Sequence, residues 1–454
     1  MDVWSPRLTA HTLVVVASLL TYVLTTRAEH ERRPPSVAIA WVLGLIALPY
    51  LVLPAYLFFG RRKLQRRVTP WSGITPHGEH WAEDLINSFG LPGADPAHVQ
   101  WHDDGAAARD AVFAVIDEAG ARLDVCTFIL ADDDFGREVT RRMREAARRG
   151  VRVRLLIDGV GALPLRRSWL RRLNRDGVET AIFSPLTARH TPSPRNLRNH
   201  RKWVIADERR LWAGGRNLAA EYFTGAAGAA PWLDLSFTLE GEVAATAAHQ
   251  FEADWRASGG APAARLEPTR TGAGAASARA QFLPSGPDQT EDTVHALLID
   301  GCYRARRRML AVTPYFVPDT SLETAMRLAA RRGVQIDLCM PASSNHVLAD
   351  FARNRALRNL SGVGVRVHLL PRMNHAKAVV FDETLALCGS VNIDLRSLLL
   401  NYESAVVFYG RRDIDWLAAW IEALLPQSTA YRARPAGLWR DLAEGLLLSV
   451  AYQL

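Results

Sequence analysis

The first sixty residues hold two long apolar runs, and the rest of the chain alternates short apolar stretches with amphipathic ones. Leu8 to Thr26 is a 19-residue run broken only by His11 and several threonines, and Ser36 to Gly60 is a 25-residue run without a charge. At about 1.5 Å of rise per residue, the second run can cross a hydrocarbon core of roughly 30 Å with some tilt. The pattern predicts a two-helix transmembrane hairpin turning within Arg27 to Pro35, with Pro49 and Pro54 as tolerated kinks. The competing reading of the first run is a signal peptide, with Arg7 ahead of an apolar centre. No convincing small-residue cleavage site follows it, and the second run would still anchor the chain.

From about Gly105 the alternation is that of an α/β architecture. Leu123 to Leu130 reads as a strand, Phe135 to Arg149 as a helix and Val151 to Ile157 as a strand. The later half repeats the plan with Met309 to Phe316, Ser321 to Arg332 and Val334 to Met340. Ala146-Ala147-Arg148-Arg149-Gly150-Val151 recurs as Ala329-Ala330-Arg331-Arg332-Gly333-Val334. Each copy reads as a helix end with a glycine cap leading into a strand, which duplication or convergence on a common stop signal would both produce. Ser258 to Ala280, rich in Gly, Ala, Pro and Arg, reads as a linker. The expected organisation is a membrane hairpin with basic flank over 1–67, a first domain over 68–258, a linker over 259–280 and a second domain over 281–454.

Each half carries one polar constellation. His200-Arg201-Lys202 is followed by Asp207 and Gly214-Gly215-Arg216-Asn217; His375-Ala376-Lys377 is followed by Asp382 and Gly389-Ser390-Val391-Asn392. Both fit H-x-K, four residues, D, six residues, then G-[GS]-x-N. Residues i and i+2 of a strand point to one side, so each His and Lys can face one cavity. Small residues before each Asn let the backbone pass closely. Pooled, two His, two Lys and two Asn suit a phosphodiester. Cations and amides hold the non-bridging oxygens, one imidazole attacks phosphorus, and the other protonates the leaving oxygen.

Composition sharpens this. Of 55 basic residues only Lys63, Lys202 and Lys377 are lysine, and two of these occupy the same slot of the repeat. The net charge of +8 is concentrated in residues 1–67, which hold nine basic and three acidic side chains. The remainder, 46 basic against 44 acidic, lacks the excess that a nucleic-acid groove needs. Six basic residues flank the hairpin on its outer ends and three lie between the runs, favouring both ends in the cytoplasm. Cys126, Cys302, Cys339 and Cys388 lack the spacing of a zinc site or disulfide framework and read as buried thiols. Asp132-Asp133-Asp134 reads as a helix start rather than a metal cluster, and Gly159-Val160-Gly161 as a turn. The tail from Leu438 spaces Leu442, Leu446 and Val450 as an amphipathic helix that packs on the domain, with bilayer contact the lesser reading.

The repeated motif resembles that of the phospholipase D superfamily, and over essentially the whole chain it is similar to bacterial cardiolipin synthases. The matching stretches are Arg198-Asn199-His200-Arg201-Lys202, Thr313-Pro314-Tyr315-Phe316-Val317-Pro318, Asp394-Leu395-Arg396-Ser397 leading to Asn401-Tyr402-Glu403, and the hairpin end Phe58-Phe59-Gly60-Arg61. The stretch Pro341 to His346 lacks an acidic residue that many synthases carry.

The resemblance implies two similar α/β domains, each a mixed sheet flanked by helices, that form one shared active site without metal or cofactor. It implies phosphatidyl transfer through a phosphohistidine, with His200 and His375 dividing the nucleophile and acid–base roles. Lys202, Lys377, Asn217 and Asn392 would bind phosphate, and Asp207 and Asp382 would fix the motif geometry. Glu403 would orient His375, and Asp234 would orient His200. The reaction so implied joins two phosphatidylglycerols into cardiolipin with release of glycerol, at a bacterial plasma membrane and on its cytoplasmic face. A hydrolytic phospholipase D, a nuclease and a non-enzymatic membrane scaffold are the alternatives.

Overall fold

The computed structural model describes residues 6–29, 35–60, 80–186, 196–226, 228–264, 266 and 278–449. The part of the chain that follows the amino-terminal region is built round a single 15-stranded sheet. From its outer edge inward, the first half contributes Val178–Phe183, Arg152–Asp158, Arg122–Thr127, Trp203–Ala206, Arg210–Gly214, Ser236–Glu240 and Asp95–His102. The second half contributes the equivalent series Arg366–Leu370, Gln335–Pro341, Arg308–Val312, Ala378–Phe381, Leu385–Gly389, Glu403–Phe408 and Ala278–Ser285, with Thr429–Ala430 added at its edge. In each half the three outer strands are parallel and the others antiparallel. The halves join by antiparallel pairing of Asp95–Ala97 with Ala278–Ala280.

Most interior strands are buried over nearly all their length, Arg122–Thr127 and Glu403–Phe408 completely, because helices cover the sheet, while the central strand Asp95–His102 is only partly covered. One continuous core draws Phe237, Phe251 and Trp255 from the first half and Phe408, Leu417 and Ile421 from the second, so the two halves bury apolar surface together. All four cysteines are buried and unpaired.

The duplicated hexapeptide sits at equivalent places. Helices Asp134–Arg148 and Thr320–Arg331 each end at a glycine with left-handed backbone, Gly150 at φ +92° and Gly333 at φ +93°, and each leads into a parallel strand. Asp133 caps the first helix, accepting from the Gly136 N–H at 2.8 Å, so the acidic triplet is a helix start. Among the described residues no group of His, Cys, Asp and Glu is arranged to hold a metal.

The amino-terminal region differs from the expected hairpin. The first helix, Pro6–Glu29, contains an apolar window at Thr9–Thr26 long enough to cross a membrane. The second run is broken into Pro35–Ala47 and Pro49–Phe59, each too short to cross alone. The break is at Leu48, with φ −139° and ψ 56°. Proline at 49 drives the preceding residue out of helical backbone, and it has no N–H to continue the ladder. The bend brings Val52 to 3.1 Å from where a Cβ on Gly44 would stand. Tyr22, Leu45 and Tyr56 pack at the centre of the three helices, while Leu13, Leu20, Leu24, Leu43 and Leu51 stay more than half exposed. A bundle with a small core and an apolar exterior is the arrangement of a membrane-embedded segment.

The carboxy-terminal helix, Leu438–Ser449, packs on the helix Val347–Ser361, where Arg358 pairs with the fully buried Glu444. Leu447 and Leu448 join the second half's core. Val450 lies outside the described residues.

Candidate active site

The strands Trp203–Ala206 and Ala378–Phe381 run antiparallel to their parallel neighbours. The residues that enter them, His200 to Lys202 and His375 to Lys377, therefore lie at the carboxyl ends of the parallel strands. There the two halves face each other. The His200 N–H donates to the Tyr402 carbonyl at 2.8 Å, and the Tyr402 N–H donates to the Arg198 carbonyl at 2.9 Å. On the other side the His375 N–H donates to the Leu233 carbonyl at 2.6 Å, and the Leu233 N–H to the Met373 carbonyl at 3.0 Å. Each motif's backbone is thus stitched to the segment carrying the other half's acidic residue.

This stitching overturns one expectation. Nδ1 of His200 lies 2.9 Å from Glu403 Oε1, and Nδ1 of His375 lies 2.9 Å from Asp234 Oδ2. The orienting acids are exchanged between halves relative to the assignment made from sequence. Strands Ser236–Glu240 and Glu403–Phe408 begin beside the interface, so Asp234, two residues ahead of the first, and Glu403, which opens the second, each meet the opposing imidazole.

The carboxylates are themselves fixed. Ser390 and Ser397 hydroxyls donate to Glu403, the latter at 2.8 Å to Oε1. Asp234 accepts from the Leu235 N–H at 2.7 Å. Gly215 occupies the place equivalent to Ser390, where a Cβ would meet Asp234 Oδ1 at 2.2 Å, so only glycine admits that carboxylate. The role of Ser390 was concealed in the G-[GS]-x-N pattern, whose variable position is where the two halves differ chemically.

Both acids are fully buried. Burial alone would raise Glu403, but attraction to His200 and Lys202 outweighs it and holds the carboxyl below its ordinary range. Asp234 is likewise held down by His375, Lys377 and Arg216 against the effect of burial. The imidazoles go the other way. Burial, helped by the lysines of both halves, pushes His200 down to about 4 and His375 to about 3. A neutral imidazole beside a carboxylate donates its Nδ1–H and presents an unprotonated Nε2, the tautomer a nucleophile or base requires.

Lys202 donates to the His200 carbonyl at 2.7 Å, and Lys377 to the His375 carbonyl. Burial brings Lys202 down to about 8 and, with repulsion from Lys202, Lys377 to about 7. Two buried ammonium groups close together are costly, and an anion between them would relieve the cost. Asn217 donates to the Tyr222 hydroxyl at 2.8 Å, whereas Asn392 has a buried Oδ1 without a partner. Aromatic rings wall the site, Phe128 against His200 and Tyr222 and Trp232 against His375.

Asp207 and Asp382 stand apart from this cluster. Each follows a four-residue strand, about 13 Å long, that separates it from the histidine. Asp207 accepts the N–H groups of Gly120, Ala121 and Arg122 at 2.7–2.8 Å, and Asp382 those of Arg306, Arg307 and Arg308 at 2.8–2.9 Å. Both adopt left-handed backbone, φ 53° and 49°. They pin the start of the neighbouring parallel strand and touch no reacting group. The x of H-x-K also differs between halves. Arg201 is fully buried, bonded to Asp254 at 2.6 Å and Asp288 at 2.9 Å and to the Glu403 carbonyl, while Ala376 makes no such network.

Two convergent H-x-K segments on a duplicated α/β sheet define the phospholipase D-like class. The family model described as "Cardiolipin synthase, PLD-like domain" matches residues 112–255 and 298–425, and one described as "Phospholipase_D-nuclease N-terminal" matches 12–61. The chain belongs to the cardiolipin synthase, PLD-like domain family. It is 29% identical over 445 residues to cardiolipin synthase A of Pseudomonas aeruginosa strain LESB58, covering 92% of this chain and 90% of the relative. It is 30% identical over 441 residues to cardiolipin synthase A of Pseudomonas putida, covering 91% of each. The solved phosphatidylserine synthase of Haemophilus influenzae Rd KW20 shares the fold with a TM-score of 0.62 at 12% identity, covering 82% of this chain and 99% of that one.

Proposed function

We propose that the chain is a cardiolipin synthase that joins two phosphatidylglycerol molecules in a ping-pong reaction. The observation that carries this is the pair of imidazoles, each held at Nδ1 by a carboxylate from the opposite half and flanked by a buried lysine. One Nε2 attacks the phosphorus of the first lipid. The phosphorus–oxygen bond to the headgroup breaks, and glycerol leaves with a proton from the second imidazolium. That imidazole then takes a proton from a headgroup hydroxyl of the second lipid, whose oxygen displaces the histidine from phosphorus. Lys202, Lys377, Asn217 and Asn392 hold the non-bridging oxygens, the two ammonium groups countering charge that grows in the transition state. The phosphate's own charge raises the imidazole that must act as acid, opposing the depression that burial imposes.

The amino-terminal bundle anchors this machinery in the bilayer. Its first helix and the bent pair make an out-and-back insertion, with basic residues 61–67 and the catalytic halves on the cytoplasmic side.

The test is to reconstitute the protein in bilayers with labelled phosphatidylglycerol and resolve the products. Cardiolipin plus glycerol supports the reading. Phosphatidic acid as the sole lipid product assigns the same site to hydrolysis.

A further inference from the structure

Among the described residues beyond the amino-terminal bundle, eight large apolar side chains stand exposed, and four of them occupy equivalent places in the two halves. Val160 and Leu163 are 37% and 61% exposed in the loop that follows the strand Arg152–Asp158. Val347 and Leu348, 79% and 56% exposed, follow the equivalent strand Gln335–Pro341. Both segments leave the carboxyl ends of parallel strands, the end of the sheet where the two histidines sit, the second running through 342–346 into the first turn of the helix Val347–Ser361. The first is tied directly to the site. Asp158 accepts the Val160 N–H at 2.8 Å through one oxygen and the N–H of Asn199, next to His200, at 2.8 Å through the other. Gly161 packs on the carbonyl of Phe128, whose ring meets His200. The second is held by Asn345, which accepts from the hydroxyl of Tyr315 on the segment equivalent to that of Phe128.

Charge gathers beside these side chains. The helix Arg167–Arg175 buries Leu170 and Leu173 and exposes Arg167, Arg171 and Arg172, with Arg166 exposed at its start. None of these four has an ion-pair partner among the described residues, in a protein whose other surface arginines are widely paired. Arg171 lies about one helical turn beyond Arg167, about 6 Å along the axis, so the four guanidinium groups form one cluster beside the loop. Across the mouth Arg372 is exposed three residues before His375.

We propose that the loop carrying Val160 and Leu163 and the helix start carrying Val347 and Leu348 are a pair of interfacial prongs that seat the mouth of the site on a bilayer surface rich in anionic phospholipid. Val160, Leu163, Val347 and Leu348 enter the boundary between headgroups and acyl chains, and the unpaired arginines bind the phosphates around them. The inference rests on the reading that the site acts on membrane phospholipids. It adds where the catalytic halves touch the bilayer, a contact separate from the anchor.

Because the native cysteines are buried, single nitroxide labels can be placed on the full-length protein at Leu163→Cys and Val347→Cys, with Arg209→Cys at the opposite end of the sheet as reference. In vesicles of phosphatidylglycerol and phosphatidylcholine, labels at 163 and 347 are expected to collide with oxygen in preference to a water-soluble nickel chelate, and the label at 209 to show the reverse. Water-like collision at 163 and 347 overturns the proposal. This readout needs no turnover, so it stands or falls apart from the assigned reaction. Leu163→Asp combined with Val347→Asp is further expected to raise the bilayer KM about tenfold. It should leave kcat on a short-chain phosphatidylglycerol dissolved as monomers unchanged. An unaltered bilayer KM argues against docking, and failure of the unmodified protein on both substrates argues against the reaction instead.

Discussion

Glu403 belongs to the second half of the chain, yet its carboxylate holds the imidazole of His200 in the first, 2.9 Å from Nδ1, and Asp234 returns the arrangement to His375. Neither half contains a histidine with its own acid. Exchange of Glu403 for glutamine keeps the shape but replaces the acceptor-only carboxylate with a neutral amide whose NH2 can turn toward Nδ1, so the tautomer is no longer fixed. By the behaviour of other buried acid–histidine pairs, kcat is expected to fall on the order of 10²- to 10⁴-fold with KM little changed. Nitrogen-15 spectra of labelled histidine should show the Nδ1–H signal of His200 altered and that of His375 retained. Disturbance of His375 alone would refute the crossed pairing.

Asp207 and Asp382 call for the opposite outcome. Asp382→Asn places an amide where the Arg306 N–H points, leaving a partly buried donor without its carboxylate at a cost of about 1 kcal/mol. The melting temperature is expected to drop while the folded fraction keeps near-normal kcat. A collapse of kcat at full stability would place the residue in the chemistry.

The lysines set an alkaline limit. Their values lie below that of a free lysine, so each ammonium is present below its folded value and lost as pH rises through about 7 for Lys377 and about 8 for Lys202. For the free enzyme kcat/KM should therefore decline between about pH 7 and 9, whereas kcat, reporting the phosphate-bound state, declines at higher pH. Coincident profiles would show that the lysines are not the groups titrating.

Arg201 tests the asymmetry between the motifs. Arg201→Met leaves Asp254 buried without its guanidinium and is expected to cost about 3–5 kcal/mol in thermal or denaturant unfolding. Lengthening Ala376 to serine meets no comparable network. Equal effects at the two positions would contradict this difference.

The repeated H-x-K pattern was legible because identity, order and spacing recur, and strand geometry turns that spacing into a shared face. The duplicated Ala-Ala-Arg-Arg-Gly-Val proved to be one structural element used twice, since only glycine takes the left-handed turn at residues 150 and 333 without strain. The pairing of acids was not legible. Asp234 follows His200 by 34 residues and Glu403 follows His375 by 28, which made the pairs within each half look natural. Which sheet edge faces which is a tertiary property that neither interval records. A kink at Pro49 was expected, but not that it would leave two helices each too short to cross. Hydropathy counts apolar residues, and Pro49 and Pro54 add little to that sum while one of them redirects the backbone.

The crossed acids also bear on how the protein is made. A ribosome delivers His200 long before Glu403, and Asp234 waits equally for His375. Until the last strands join the sheet, neither imidazole has its carboxylate, and a chain interrupted at any point before residue 403 lacks an oriented His200. On the proposed reaction, the chain is thereby inert toward lipid while nascent or broken, and competence arrives only with completion of the fold.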